Sequence, residues 1–138
     1  MTKPKVVNAL AVRVGVELFT VKASGHSIAV DSNRERNTAP SPMELVLMGL
    51  CACTATDIDI ILRKKREPFT SLEVRAEAER ATDPPQVYTR IKLIFTVGGK
   101  VTKKAMEDAV RLSEEKYCSV SAMLQKTAKI TTEVRYAE

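Results

Sequence analysis

Three thiols and a few carboxylates are the residues of this chain with chemistry to offer. Cys51 and Cys53 sit two apart in Leu50-Cys51-Ala52-Cys53, and Cys118 follows Cys53 by 65 positions. A thiol becomes a nucleophile as thiolate, and a helix N-terminus or a nearby cation lowers its pKa. Cys118 stands just before Ser119-Val120-Ser121, where a new helix can begin, so a helix end is available to it. Cys53 falls inside a long apolar segment and needs a cation delivered from elsewhere. Arg34 and Arg36, on the polar stretch preceding that segment, are the natural suppliers. The plain alternative is that all three cysteines are small core hydrophobes. No spacing here is that of a C-x-x-C zinc or redox pair. The single histidine, His26, lies in the turn-like Ser24-Gly25-His26, so no structural metal is expected.

The elements that must hold these thiols are marked in the pattern. The first 31 residues read as strands: Val6, Asn8, Leu10, Val12 and Val14 fall on one side, Gly15 marks a turn, and residues 16–23 and 27–31 supply two more. Residues 32–40 have loop composition. Ser41-Pro42-Met43-Glu44 is a helix start: Ser41 can accept from the backbone at the third helical position, Pro42 fits the first, and Glu44 can reach back. Residues 45–53 are apolar on every side, which predicts a helix buried all round. Ile58, Ile60, Ile61 and Leu62 carry it to Arg63-Lys64-Lys65-Arg66, whose cations suit the carbonyl end of the dipole, and Pro68 closes it. Unbroken from Pro42 to Arg66, it would span about 37 Å.

At about 100° per residue, Asp57 shares the face of Cys53, with Val46 and Leu50 near it. Cys51 points about 160° away from Cys53, so packing is its expected role, and Glu44 falls on the opposite side. An unpaired Asp57 opposes thiolate formation by like-charge repulsion; it must be paired, protonated or turned away.

Downstream, Leu72, Val74, Ala76 and Ala78 alternate with Glu73, Arg75, Glu77 and Glu79, a strand with one wet face. Asp83-Pro84-Pro85 turns the chain into a second alternating run, Val87 to Val97, ended by Gly98-Gly99. Thr102 can cap a helix in which Met106, Ala109, Val110, Ser113 and Tyr117 share a face, and Ser119 can cap a short helix through Leu124. Alternation from Ala128 to Tyr136 gives a last strand. The class is α+β with antiparallel sheets.

With 138 residues, 44% hydrophobic and 28% charged, the chain suits one soluble domain over residues 1–138. Its longest mainly apolar run, residues 45–55, falls short of the about 20 residues a bilayer requires. The opening Met1-Thr2-Lys3-Pro4-Lys5 carries no basic-then-apolar leader, so a cytoplasmic location and no membrane partner are expected. A net charge of +5 invites nucleic acid, but six aromatics make a poor stacking platform and the basic run suits a helix end, so none is expected. Such binding would show as a steep salt dependence.

Pro42-Met43-Glu44-Leu45 running into Ala52-Cys53, with Glu115-Lys116-Tyr117-Cys118-Ser119-Val120-Ser121 far downstream, resembles the OsmC/Ohr superfamily and most of all its YhfA-like branch. The resemblance covers nearly the whole chain in element order. It implies an intertwined homodimer with antiparallel β-sheets wrapped around two central helices. It also implies a cysteine-based reductase of organic hydroperoxides, with Cys53 as the peroxidatic thiol and Cys118 as the resolving one. The reductant would be an external dithiol or a lipoylated protein, the biological setting an oxidative stress response, and no metal, flavin or other cofactor takes part. One position departs from the pattern: the peroxidase branches place a glutamate directly after the helix-starting proline to hold a catalytic arginine, and this chain has Met43 there. The alternative expectation is a non-peroxidatic dimer binding a small apolar or thiol-reactive ligand in an interface pocket lined by Met43, Val46 and Leu50.

Overall fold

Alternation at the N-terminal end resolves into β1 (Leu10–Gly15), β2 (Leu18–Ala23) and β3 (His26–Asp31), an antiparallel sheet in the order β1-β2-β3. The computed structural model describes residues 3–137. They divide into two compact units, with the boundary after Val46. Turns in the first unit use the left-handed region at Glu17 (φ 55°), Ser24 (φ 51°) and Gly25 (φ 78°). Val6 and Asn8, expected on the first strand, precede β1 and are exposed.

The loop after β3 folds around one carboxylate. Asp31, 0% exposed, accepts from Arg36 Nε (2.9 Å) and Nη2 (2.8 Å), from Thr38 N (3.1 Å) and Oγ1 (2.7 Å), and from Asn33 N (2.9 Å). The Arg36 guanidinium holds the Asp31 carboxyl well below the usual carboxylate range, and the Thr38 and Asn33 bonds add to it against the cost of burial.

Helix α1 (Pro42–Lys64) opens with the expected capping box: Ser41 Oγ accepts from Glu44 N at 3.1 Å, and Glu44 Oε1 accepts from Ser41 N at 2.9 Å. Arg66, in the left-handed region at φ 58°, lies beyond its end. The expectation of burial all round is corrected. Leu50, Thr54, Ile58 and Leu62, spaced one turn apart, are buried, while Val46, Met48 and Ile60 are exposed. A single chain covers one face of a helix whose apolar residues run round the whole cylinder. By length and composition the full helix could span a bilayer, which residues 45–55 alone could not; core helices of folded domains meet the same test.

The C-terminal unit is built on β4 (Phe69–Arg80), β5 (Tyr88–Gly99) and β6 (Lys129–Ala137), in the order β4-β5-β6. β4 and β5 form the expected hairpin, Val74 opposite Phe95, across a turn with a cis Pro84–Pro85 bond. Central β5 buries Ile91, Leu93, Phe95 and Val97, as its alternation predicts, whereas Val87 precedes the strand and is exposed with Thr89, and Tyr88 and Ile94 of the other face are buried as well. Gly99 has φ 97°, and a Cβ there would come within 2.5 Å of the Pro68 carbonyl, so the strand end requires glycine. The antiparallel expectation fails at β6, which pairs with β5 in parallel, Phe95 opposite Val134. A parallel neighbour needs a long crossover, and the helical segment between β5 and β6 supplies it.

That crossover is α2 (Lys103–Leu112), a π-helical turn (Ser113–Tyr117) and α3 (Ser119–Leu124). Thr102 caps α2 as expected, accepting from Ala105 N at 3.2 Å, and Met106, Ala109, Val110 and Ser113 are buried. Tyr117 leaves that face and is 50% exposed, because the wider π turn shifts the helical phase. The cap of α3 is Cys118 rather than Ser119: its Sγ accepts from Ser121 N at 3.3 Å.

Candidate functional site

The C-terminal unit brings the two predicted thiols together. One oxygen of Asp57 and the sulfurs of Cys53 and Cys118 all lie within 4.8 Å of one another. Cys53 and Asp57 are one turn apart on α1, and the π turn delivers Cys118, whose N–H donates to Ser113 O at 2.8 Å. Three further residues complete the cluster. Ser113 Oγ donates to Asp57 Oδ2 at 2.8 Å, Ser121 Oγ donates to Glu114 Oε1 at 2.9 Å, and Glu114 Oε2 is buried with no hydrogen-bond partner. The sequence pattern does not single out Ser113 and Glu114 as site residues, because no helical period marks a π turn, nor Ser121, whose partner Glu114 lies across that turn. The run Ser113-Glu114 just ahead of Cys118 was the available signal.

Burial dominates the electrostatics. It pushes the Cys118 thiol up to about 12, with the nearby Cys53 thiol and the Glu114 charge adding to the rise and the Ser121 N–H opposing it. The helix-end device expected from sequence is therefore present, but desolvation outweighs it. Burial also raises Glu114, partly offset by the Ser121 hydroxyl and reinforced by Asp57. Cys51 is raised by burial as well, and its thiol meets the backbone of Ala76 on β4, consistent with its expected packing role. Among the described residues, no lysine or arginine forms an ion pair with Asp57 or Glu114. A cavity of about 410 Å³ reaches Asp57 between Ile60, Ile61, Leu112 and Tyr117, with Lys64 and Lys65 also in its lining.

Arg34 and Arg36 lie in the N-terminal unit, each engaged there. Arg36 grips Asp31 and donates to Val16 O at 2.7 Å. Arg34 donates to Glu44 Oε1 (3.0 Å), Asn37 Oδ1 (2.9 Å), and the Asp31 and Ala39 carbonyls. Glu44 is lowered first by its bonds from Ser41 and then by Arg34. Of the residues expected to line a ligand pocket, Met43 is half-buried, Val46 exposed and Leu50 fully buried.

Comparison with known proteins places this geometry in context. The profile of the family described as OsmC-like protein matches residues 35–133. Protein YhfA of Escherichia coli K12 is 44% identical over 118 residues, covering 85% of this chain and 87% of that protein. The crystal structure of an OsmC-like protein from Mycoplasma pneumoniae aligns with a TM-score of 0.87 at 18% identity, over 99% of this chain and 100% of that one. An organic hydroperoxide resistance protein from Elizabethkingia anophelis aligns with a TM-score of 0.72 at 15% identity, with the same coverage of each chain. The two structural likenesses speak to fold.

Proposed function

This chain belongs to the OsmC-like protein family, and on that premise we propose that it reduces organic hydroperoxides through Cys53 and Cys118. The observation that carries the proposal is the meeting of the two sulfurs in one cluster, on elements far apart in sequence. The Cys53 thiolate attacks the outer peroxide oxygen; the O–O bond breaks, an alcohol leaves with a proton, and Cys53 becomes a sulfenic acid. Cys118 condenses with it, releasing water and forming the disulfide, which an external dithiol or lipoylated protein reopens. Cys118 is placed for the second role: its sulfur lies beside that of Cys53, and the Ser121 N–H supports the thiolate that must attack the sulfenic acid.

The cation that stabilises the Cys53 thiolate is proposed to be Arg34 or Arg36. Arg34 is the freer of the two, since its ion pair with Glu44 is exposed (45% and 57%), whereas Arg36 is bound to a carboxylate with no exposure. Glu44 serves the helix cap and Arg34 at once, which gives a role to the carboxylate one place beyond Met43. We also propose that the protein works in the reducing cytoplasm as a homodimer. Exposed Val46, Met48 and Ile60 on α1, and Leu10, Val12 and Val14 on β1, are apolar surface of the kind a second copy covers.

A second reading is favoured by the apolar walls of the cavity at Asp57: a non-peroxidatic dimer that takes a small apolar or thiol-reactive ligand. Peroxide consumption by the wild type and by Cys53→Ser separates the two. Loss of turnover in the variant supports the peroxidase, and full retention removes it.

A further inference from the structure

The chemistry around the two sulfurs is that of a cation receptor as much as of an activated thiol. Two thiols meet one carboxylate within 4.8 Å, a second carboxylate lies close enough for its charge to act on Cys118, and among the described residues neither Asp57 nor Glu114 has an ion-pair partner. Half-buried carboxylates beside thiols repel a thiolate, yet the same arrangement attracts a metal that replaces the thiol protons.

We infer that the reduced cluster binds one thiophilic divalent cation of the zinc class per chain, ligated by Cys53 Sγ, Cys118 Sγ and a carboxylate oxygen of Asp57, with Glu114 adding negative charge beside it. Tetrahedral zinc holds sulfur at about 2.3 Å and oxygen at about 2.1 Å, which puts ligand atoms about 3.5–3.8 Å apart. The cluster needs closure by about 1.3 Å at most to reach that spacing, within the reach of small side-chain rotations. Cys53 and Asp57 stand one helical turn apart, the same i, i+4 arrangement that lets two side chains of one helix share a metal. Ser113 Oγ fixes Asp57 Oδ2 and leaves Oδ1 to ligate, the outer support that metal-binding carboxylates use. The Ser121 N–H already points at the Cys118 sulfur and stabilises it as a thiolate.

Binding changes no oxidation state. Two thiol protons pass to solvent, two metal–sulfur bonds and one metal–oxygen bond to Asp57 form, a water keeps the fourth position, and the bound centre carries one net negative charge before Glu114 is counted. The inference concerns the same sulfurs as the proposed peroxidase and would make the metal a reversible cover over them. It rests on the geometry of the reduced cluster, so the two readings stand or fall separately.

The test is an anaerobic titration of fully reduced, full-length protein with Co²⁺, followed by displacement with Zn²⁺ against a chromophoric chelator. The expected result is one Co²⁺ per chain, with a thiolate-to-cobalt charge-transfer band of two-thiolate intensity and the strong visible bands of tetrahedral cobalt. Cys53→Ser and Cys118→Ser should each halve the band, Asp57→Asn should leave it at two-thiolate intensity, and each of the three should weaken Zn²⁺ by more than the about ten- to a hundredfold that loss of an outer support costs. Cys51→Ser should change neither. Absence of the charge-transfer band in the wild type, its loss in Cys51→Ser, or wild-type affinity in the Cys53→Ser/Cys118→Ser double variant would overturn the inference. Peroxide consumption, measured with and without Zn²⁺, reads the proposed function independently. A chain that binds metal but consumes no peroxide loses only the peroxidase, and the reverse result loses only the metal site.

Discussion

Asp31 is fully buried and Asp57 half-buried at the edge of a cavity, and they keep different company. Asp31 accepts five hydrogen bonds, two of them from the guanidinium of Arg36. Asp57 accepts one from Ser113 and otherwise faces two thiols, with the charge of Glu114 acting nearby. A buried carboxylate with its charge answered ties a loop together and has nothing left to offer a ligand. A carboxylate whose charge is left open beside reactive groups is costly to the fold and available for chemistry. The difference separates an acid that holds a loop together from one left open at the proposed site, and the predictions break one side or the other.

The largest effect is expected at the thiol itself: Cys53→Ser should bring peroxide consumption down to background. Next comes Arg36→Ala, which strips the cation from Asp31 and should lower the thermal and urea midpoints more than Arg34→Ala does. The same pair sets a pH window. The folded pKa of Asp31 is depressed, so its contribution is present above the unfolded value of about 3.9 and is lost as pH falls below it. Acid titration of unfolding should therefore show Asp31→Asn, destabilised at neutral pH, losing less further stability between about pH 5 and pH 2 than the wild type does.

On the open side, Asp57→Asn removes a like charge and should speed Cys53 alkylation by about two- to tenfold at fixed pH. Glu114→Gln should speed Cys118 alkylation by a smaller factor, because burial remains the main cause of its raised pKa. The smallest effect belongs to Cys51→Ser: its thiol lies toward β4, and peroxide turnover should stay within about twofold of wild type. Peptide-resolved alkylation kinetics check the first two, and a peroxide-consumption assay checks the third.

How far the sequence reaches is also different for the two regions. The capping box of Ser41 and Glu44, the wet face of Glu73, Arg75, Glu77 and Glu79, and the shared face of Cys53 and Asp57 follow from local periodicity, and the structure has them. The Asp31 network does not follow, since it depends on loop backbone angles such as φ 44° at Asn37 that no alternation encodes. The meeting of Cys118 with Cys53 was implied only by resemblance to a family, because 65 residues and a crossover intervene. The π turn that presents Ser113 and Glu114, and the parallel pairing of β6, depend on tertiary packing, and simple alternation fits either strand direction.

The most direct test of the account is a timed reaction of fully reduced protein with cumene hydroperoxide, quenched by alkylation and mapped by mass spectrometry. Rapid formation of a Cys53–Cys118 disulfide is expected, faster than with hydrogen peroxide, with Cys51 still a free thiol at the quench. Oxidation of Cys53 no faster than that of a free cysteine, with no Cys53–Cys118 linkage, would contradict it.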